Sequence, residues 1–93
     1  MTTQELIDQL HDLQLQLEAR GDVALDGAIL EVSNAIELLE NSALASIAAK
    51  LEAQEAELDA GIAALKKDVQ ALGSIVNVIE DIAKLAKTVA KLV

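Results

Sequence analysis

The stretch that decides the fold is residues 75–93, IVNVIEDIAKLAKTVAKLV. Strict alternation of apolar and polar residues, the mark of a strand, is absent from it. Placed on a wheel at ~100° per residue, its Ile, Val, Leu and Ala residues fill one unbroken arc of about 200°. Asn77, Glu80, Asp81, Lys84, Lys87, Thr88 and Lys91 occupy the remainder without intruding. The stretch is therefore an amphipathic helix with an unusually broad apolar face. Such a face needs more than one neighbour, or lipid, to cover it.

Immediately before it stand Gly73 and Ser74. Glycine stops a helix cheaply and serine caps the next one, so the pair predicts a tight helix-to-helix joint. Upstream of the joint, residues 43–72 form a third helical segment. Ile47, Leu51, Gln54, Leu58, Ile62, Leu65, Val69 and Leu72 recur on one side at steps of 4-3-4-4-3-4-3. That spacing averages about 3.57 per step, close to a straight helix and above the ~3.5 of a supercoiled heptad. It predicts a long, nearly straight, coiled-coil-like seam of ~45 Å, at ~1.5 Å per residue. Gln54 is the polar residue of that seam. Either it sets register or oligomeric state, or it lies at the seam's edge.

Two further segments precede these. In residues 3–20, Leu6, Leu10, Leu13 and Leu17 form the stripe, with Ile7 beside them. Thr2 and Glu5 fit a capping box, and Gly21 supplies the stop. In residues 22–40 the stripe is Leu25, Ile29, Val32, Ile36 and Leu39, widened by Ala28 and Ala35, with Asp22 or Asp26 as candidate caps. Leu15, Leu30 and Leu38 lie off the stripes. The two on the second segment mark a candidate second contact surface. Asn41-Ser42 is the weakest boundary, where Ser42 either caps a new helix or the chain runs through. The short connections make consecutive helices antiparallel or only gently bent. The sequence thus predicts one domain over residues 1–93, an all-α antiparallel bundle of about four unequal helices and no strand.

Composition bounds the function. Among 93 residues there is no Cys, Pro, Phe, Trp or Tyr, and a single His. Disulfides, thiolate metal sites and cysteine nucleophiles are excluded, as are the aromatic platforms that stack single-stranded nucleic acid. Sixteen acids against seven bases give a net charge of -9. The charge is polarised, with 13 acids and 2 bases in residues 1–59 (-11), and 3 acids and 5 bases in residues 60–93 (+2). An acidic surface repels phosphate, so direct nucleic-acid binding is disfavoured.

Motifs that suggest chemistry have structural explanations. Arg20-Gly21-Asp22 spells a tripeptide read by some cell-surface receptors, but a helix stop followed by a cap accounts for all three residues. Asp22, Asp26 and Gly27 partly match a calcium loop, yet Ala24 and Ser33 fall where acidic ligands belong. His11 sits beside Asp12 on a solvated face, with no second His or Cys to complete a metal site. The serines lack a plausible His partner, the glycines form no phosphate loop, and Glu52, Glu55, Glu57 and Asp59 read as a solvated face. No catalytic, cofactor or metal site is expected, and the chain is not expected to be an enzyme.

What remains is association. The expected function is a non-enzymatic helical bundle that binds itself, as a homo-oligomer, or a protein partner. The candidate interaction residues are Gln54, Leu58, Ile62, Leu65, Val69 and Leu72 on the third segment, with Ile75, Ile79, Ile82, Leu85, Val89 and Leu92 on the fourth. One alternative is an amphipathic lipid-surface protein using residues 75–93, where Lys84, Lys87 and Lys91 flank the apolar face. Against it, interfacial helices usually carry Trp or Phe, and lysines toward a helix C-terminus already complement its dipole. Another is an acidic mimic that presents the -11 front to a basic protein. With no signal peptide and no span of ~20 apolar residues, the expected location is the cytoplasm.

Overall fold

A computed structural model describes residues 1–42, 44–71 and 74–93, with the Leu44 side chain left out of the description. It is an all-α four-helix bundle: α1 (Thr3–Ala19), α2 (Asp26–Glu40), α3 (Leu44–Gln70) and α4 (Ile75–Ala90). Helix α1 packs on α2 and α3, and α4 packs on α2 and α3. The helices therefore enclose one core, within principal extents of 37 × 23 × 17 Å. At ~1.5 Å per residue the 27 residues of α3 reach about 40 Å, so α3 sets the long dimension.

Each boundary has a local cause. Thr2 Oγ1 accepts a hydrogen bond from the Glu5 amide at 3.1 Å, as the capping box requires of its first residue. Gly21 takes φ +64°, the left-handed conformation that glycine adopts without a Cβ penalty, and its amide donates to the Glu18 carbonyl at 3.0 Å. The second segment does not start as one helix at residue 22. Asp22 Oδ1 accepts from the Ala24 amide at 3.0 Å, and a single 3-10 turn (Val23–Leu25) precedes α2. This side-chain bond to the backbone two residues on competes with the helical ladder. The turn drives Leu25 fully into the core and leaves Val23 outside.

At Asn41-Ser42 the chain breaks. Asn41 ends α2, and the Ser42 hydroxyl turns back to donate to the Leu38 carbonyl at 2.7 Å. Ser74 holds the N-cap position of α4 as expected, but its side chain makes no capping hydrogen bond. The expected glycine stop at Gly73 lies outside the described residues.

The core is wholly aliphatic. Leu6, Leu10, Leu13 and Leu17 of α1, Val32, Ile36 and Leu39 of α2, and Ile47, Leu51, Leu58, Ile62, Leu65 and Val69 of α3 are buried together. Each such side chain contributes about 1.5–3 kcal/mol on leaving water. Two polar contacts fasten the ends. The Met1 amine donates to Glu55 Oε1, and Lys91 Nζ lies 3.9 Å from Glu57 Oε2. The start of α1 and the end of α4 thus both meet the middle of α3.

Candidate interaction surface

The broad face of α4 divides in two. Val78, Ile82, Leu85, Val89 and Leu92 are buried and supply the core from this helix. The other half of the arc is not fully covered. Val76 is 62% exposed, Ile79 38% and Val93 44%. Ile75, Ala83 and Ala86 are half-buried and Ala90 is exposed. Val76, Ile79, Ala83, Ala86 and Ala90 follow one another at steps of 3-4-3-4, a stripe along one side of the helix, and Val93 lies past its end. The division follows from geometry. An arc of about 200° is wider than two neighbouring helices cover when they also pack on α1.

The stripe runs beside α2. Ala86 lines a groove with Glu31, Asn34, Ala35 and Leu38. Leu38 also lines the next depression along α2, with Glu37 and Asn41. Leu30, exposed, stands eight residues before Leu38 on α2. Among the described residues, the exposed large apolar side chains are Leu15, Val23, Leu30, Leu38, Val76, Ile79 and Val93. Five of these seven belong to α2 or α4 or the residues that end α4.

The candidate residues named from sequence separate accordingly. Leu58, Ile62, Leu65, Val69, Ile82, Leu85, Val89 and Leu92 lie inside the chain's own core. Gln54 on the α3 seam is half-buried. Ile75 is half-buried against the core, and Leu72 lies outside the described residues. Among the described residues of the named set, Ile79 alone is exposed. The helical period finds the apolar arc but does not say which half a neighbour takes, so it does not single out Val76, Ala83, Ala86, Ala90 and Val93. It does single out Leu38, through its departure from the α2 stripe.

On its other side α4 meets α3. Gly61, Leu85 and Thr88 form a groove of about 300 Å³ whose rim is Lys84, Lys87, Lys91 and Glu57. Thr88 is satisfied inside its own helix, donating to the Lys84 carbonyl at 3.0 Å. Toward the start of α4, Asp81 faces Asp68 of α3, and one Asp81 oxygen is shut from solvent with no hydrogen-bond donor among the described residues. Burial, and then the facing Asp68 carboxylate, push the Asp81 acid up from 3.8 to about 6, against the pull of Lys84.

A cleft of about 430 Å³ lies between the start of α1 and α3 and is lined by Met1, Thr2, Thr3, Gln4, Ile7, Ala48 and Leu51. His11 is exposed on α1. Among the described residues no three His, Asp or Glu side chains gather where they would hold a metal ion. No described helix is long and apolar enough to cross a membrane. No protein-family pattern matches the chain, and neither a curated protein nor a solved structure shows detectable similarity to it.

Proposed function

We propose that this chain is a non-enzymatic helical-bundle protein that works by association, with a second copy of itself or with a protein partner. The observation that supports the reading is the α4 stripe Val76–Ile79–Ala83–Ala86–Ala90 beside Leu38, an apolar surface outside the buried core. Scattered exposed leucines are ordinary, whereas aligned ones with a polar rim mark contact sites. The lipid-surface alternative has a cost that association lacks. Inserting α4 in a bilayer requires pulling Val78, Ile82, Leu85, Val89 and Leu92 out of the core, and leaves their former neighbours on the other helices exposed to water.

Light scattering on the full chain over a hundredfold range of concentration is the test. The expected result is a mass that rises above 9.8 kDa with concentration, together with a melting temperature that rises in parallel, since association stabilises by mass action. Ala83→Glu, which places a charge in the stripe, should hold the mass at the monomer value while leaving helicity unchanged. A wild-type mass fixed at the monomer value throughout would remove self-association.

A further inference from the structure

We propose that the groove between α3 and α4 binds a small amphiphilic anion, a fatty carboxylate of medium length, with its chain on Gly61 and its head among the lysines of α4. The groove lies on a different side of α4 from the apolar stripe, so the proposal does not rest on the association reading.

Gly61 is the first reason. It stands in the interior of α3, where glycine costs about 0.5–1 kcal/mol relative to alanine. Its backbone does not require it, since Gly21 is the glycine with positive φ among the described residues. Packing does not require it either. A Cβ at Gly61 would meet Leu85 Cδ1 at 3.5 Å, an ordinary contact. What the missing side chain does is keep the floor of the groove open, with the α3 backbone bare to an occupant.

The walls suit a hydrocarbon chain. Leu85 and Thr88 of α4 face Gly61 across the groove. Thr88 already donates its hydroxyl proton to the Lys84 carbonyl at 3.0 Å, so it offers none to an occupant. The rim suits an anion. Lys84, Lys87 and Lys91 stand there against Glu57, a local excess of positive charge on a chain of net charge -9. Lys91 Nζ is 3.9 Å from Glu57 Oε2 at one end of the groove, and Lys84 acts on Asp81. Lys87, between them, makes no ion pair among the described residues. Lysine stems are apolar and their tips charged, so they line a chain along its length and meet a carboxylate at its end. The dipole of α4 accounts for cations near its C-terminus, but it gives no reason for a glycine opposite them.

Size selects a small molecule over a protein. From Lys84 to Lys91 the groove runs about 10 Å, at ~1.5 Å per residue. Its volume of about 300 Å³ is that of a small-ligand site. A stable protein contact needs about 800 Å² of each surface, more than two turns of α4 present.

The test is a titration of the isotope-labelled full chain with dodecanoate, kept below micelle formation and followed by amide NMR. Saturable shifts are expected at Gly61, Leu85, Lys87 and Thr88. Dodecyltrimethylammonium, with a similar chain and the opposite head, should not produce them. Lys87→Glu should weaken dodecanoate about fivefold or more, from the size of exposed ion pairs. Gly61→Leu should abolish the shifts by filling the floor. Gly61→Ala keeps the test independent of folding, because it should bind severalfold more weakly while melting higher than the wild type. Ala83→Glu, on the stripe, should bind as the wild type does. Equal shifts with both amphiphiles, shifts centred on Val76, Ile79 and Ala83, or affinity unchanged by both Gly61→Ala and Lys87→Glu would overturn the assignment. Flotation with anionic vesicles without binding of monomeric dodecanoate would replace it with a lipid surface. Absence of saturable binding would also overturn it, and the mass measurement on association stands apart from each of these results.

Discussion

Replacing Asp81 with Asn makes the pH response of the bundle a direct probe of how α4 meets α3. In the folded chain Asp81 is held against Asp68 with one oxygen shut from solvent, and its pKa is pushed up to about 6 from 3.8. An acid whose pKa rises on folding binds more protons in the native state than in the unfolded one. Stability contributed by the shared proton is therefore full below about pH 4 and is lost as pH rises through about 6. At ~1.36 kcal/mol per pKa unit, a shift of about two units sets a ceiling near 3 kcal/mol. Asp81 is only half-buried and Lys84 lies close, so solvent screening brings the expected effect to about 1 kcal/mol. Asp81→Asn supplies a neutral amide that donates to Asp68 at every pH. Urea unfolding of both proteins between pH 4 and 7.5 reads the difference. The variant should be the more stable by about 1 kcal/mol at pH 7, and the two curves should converge toward pH 4. Their difference isolates this acid from the self-repulsion of a chain with net charge -9, which both proteins share. A wild-type chain that gains stability relative to Asp81→Asn as pH rises from 4 to 6 would refute the reasoning.

Other substitutions test the packing and the turns. Leu65→Ala empties a fully buried position on α3 and should cost about 2–5 kcal/mol by urea unfolding, a large share of the stability of a domain this size. Two glycines should respond in opposite senses. Gly61→Ala adds a methyl 3.5 Å from Leu85 Cδ1, an ordinary contact inside a helix, and should stabilise by about 0.5–1 kcal/mol. Gly21→Ala, at φ +64°, should destabilise by about 1 kcal/mol through backbone strain, and equal melting temperatures for these two variants would contradict both assignments.

The helices were legible because their evidence is periodic and local. Leucines at 4-3-4 in α1, a threonine cap and a glycine stop each act within a few residues, and the structure places all three where the spacing puts them. The start of α2 was less legible. Asp22 bonds its own backbone two residues on, and that bond wins over the apolar period by one short turn. Ser74 has the right position for a cap but makes no bond from its side chain, a choice of rotamer that sequence does not encode. The division of α4 was the least legible. Periodicity shows that an arc is apolar, while which half is buried depends on where α2 and α3 stand. Ile79 and Ile82, three residues apart on one apolar arc, fall on opposite sides of that division, at 38% and 1% exposure. The same holds for Asp81 and Asp68, thirteen residues apart in sequence and brought face to face only by the packing of α4 on α3.

Sedimentation equilibrium of the full chain, from micromolar to sub-millimolar concentration, bears on this picture most directly. A bundle with a buried core of its own and an exposed apolar stripe on α4 should behave as a reversible monomer–dimer system. It should sediment as a folded 9.8 kDa species when dilute and at twice that mass when concentrated. A single monomer mass across the whole range, or a dimer unaffected by Ala83→Glu, would contradict it.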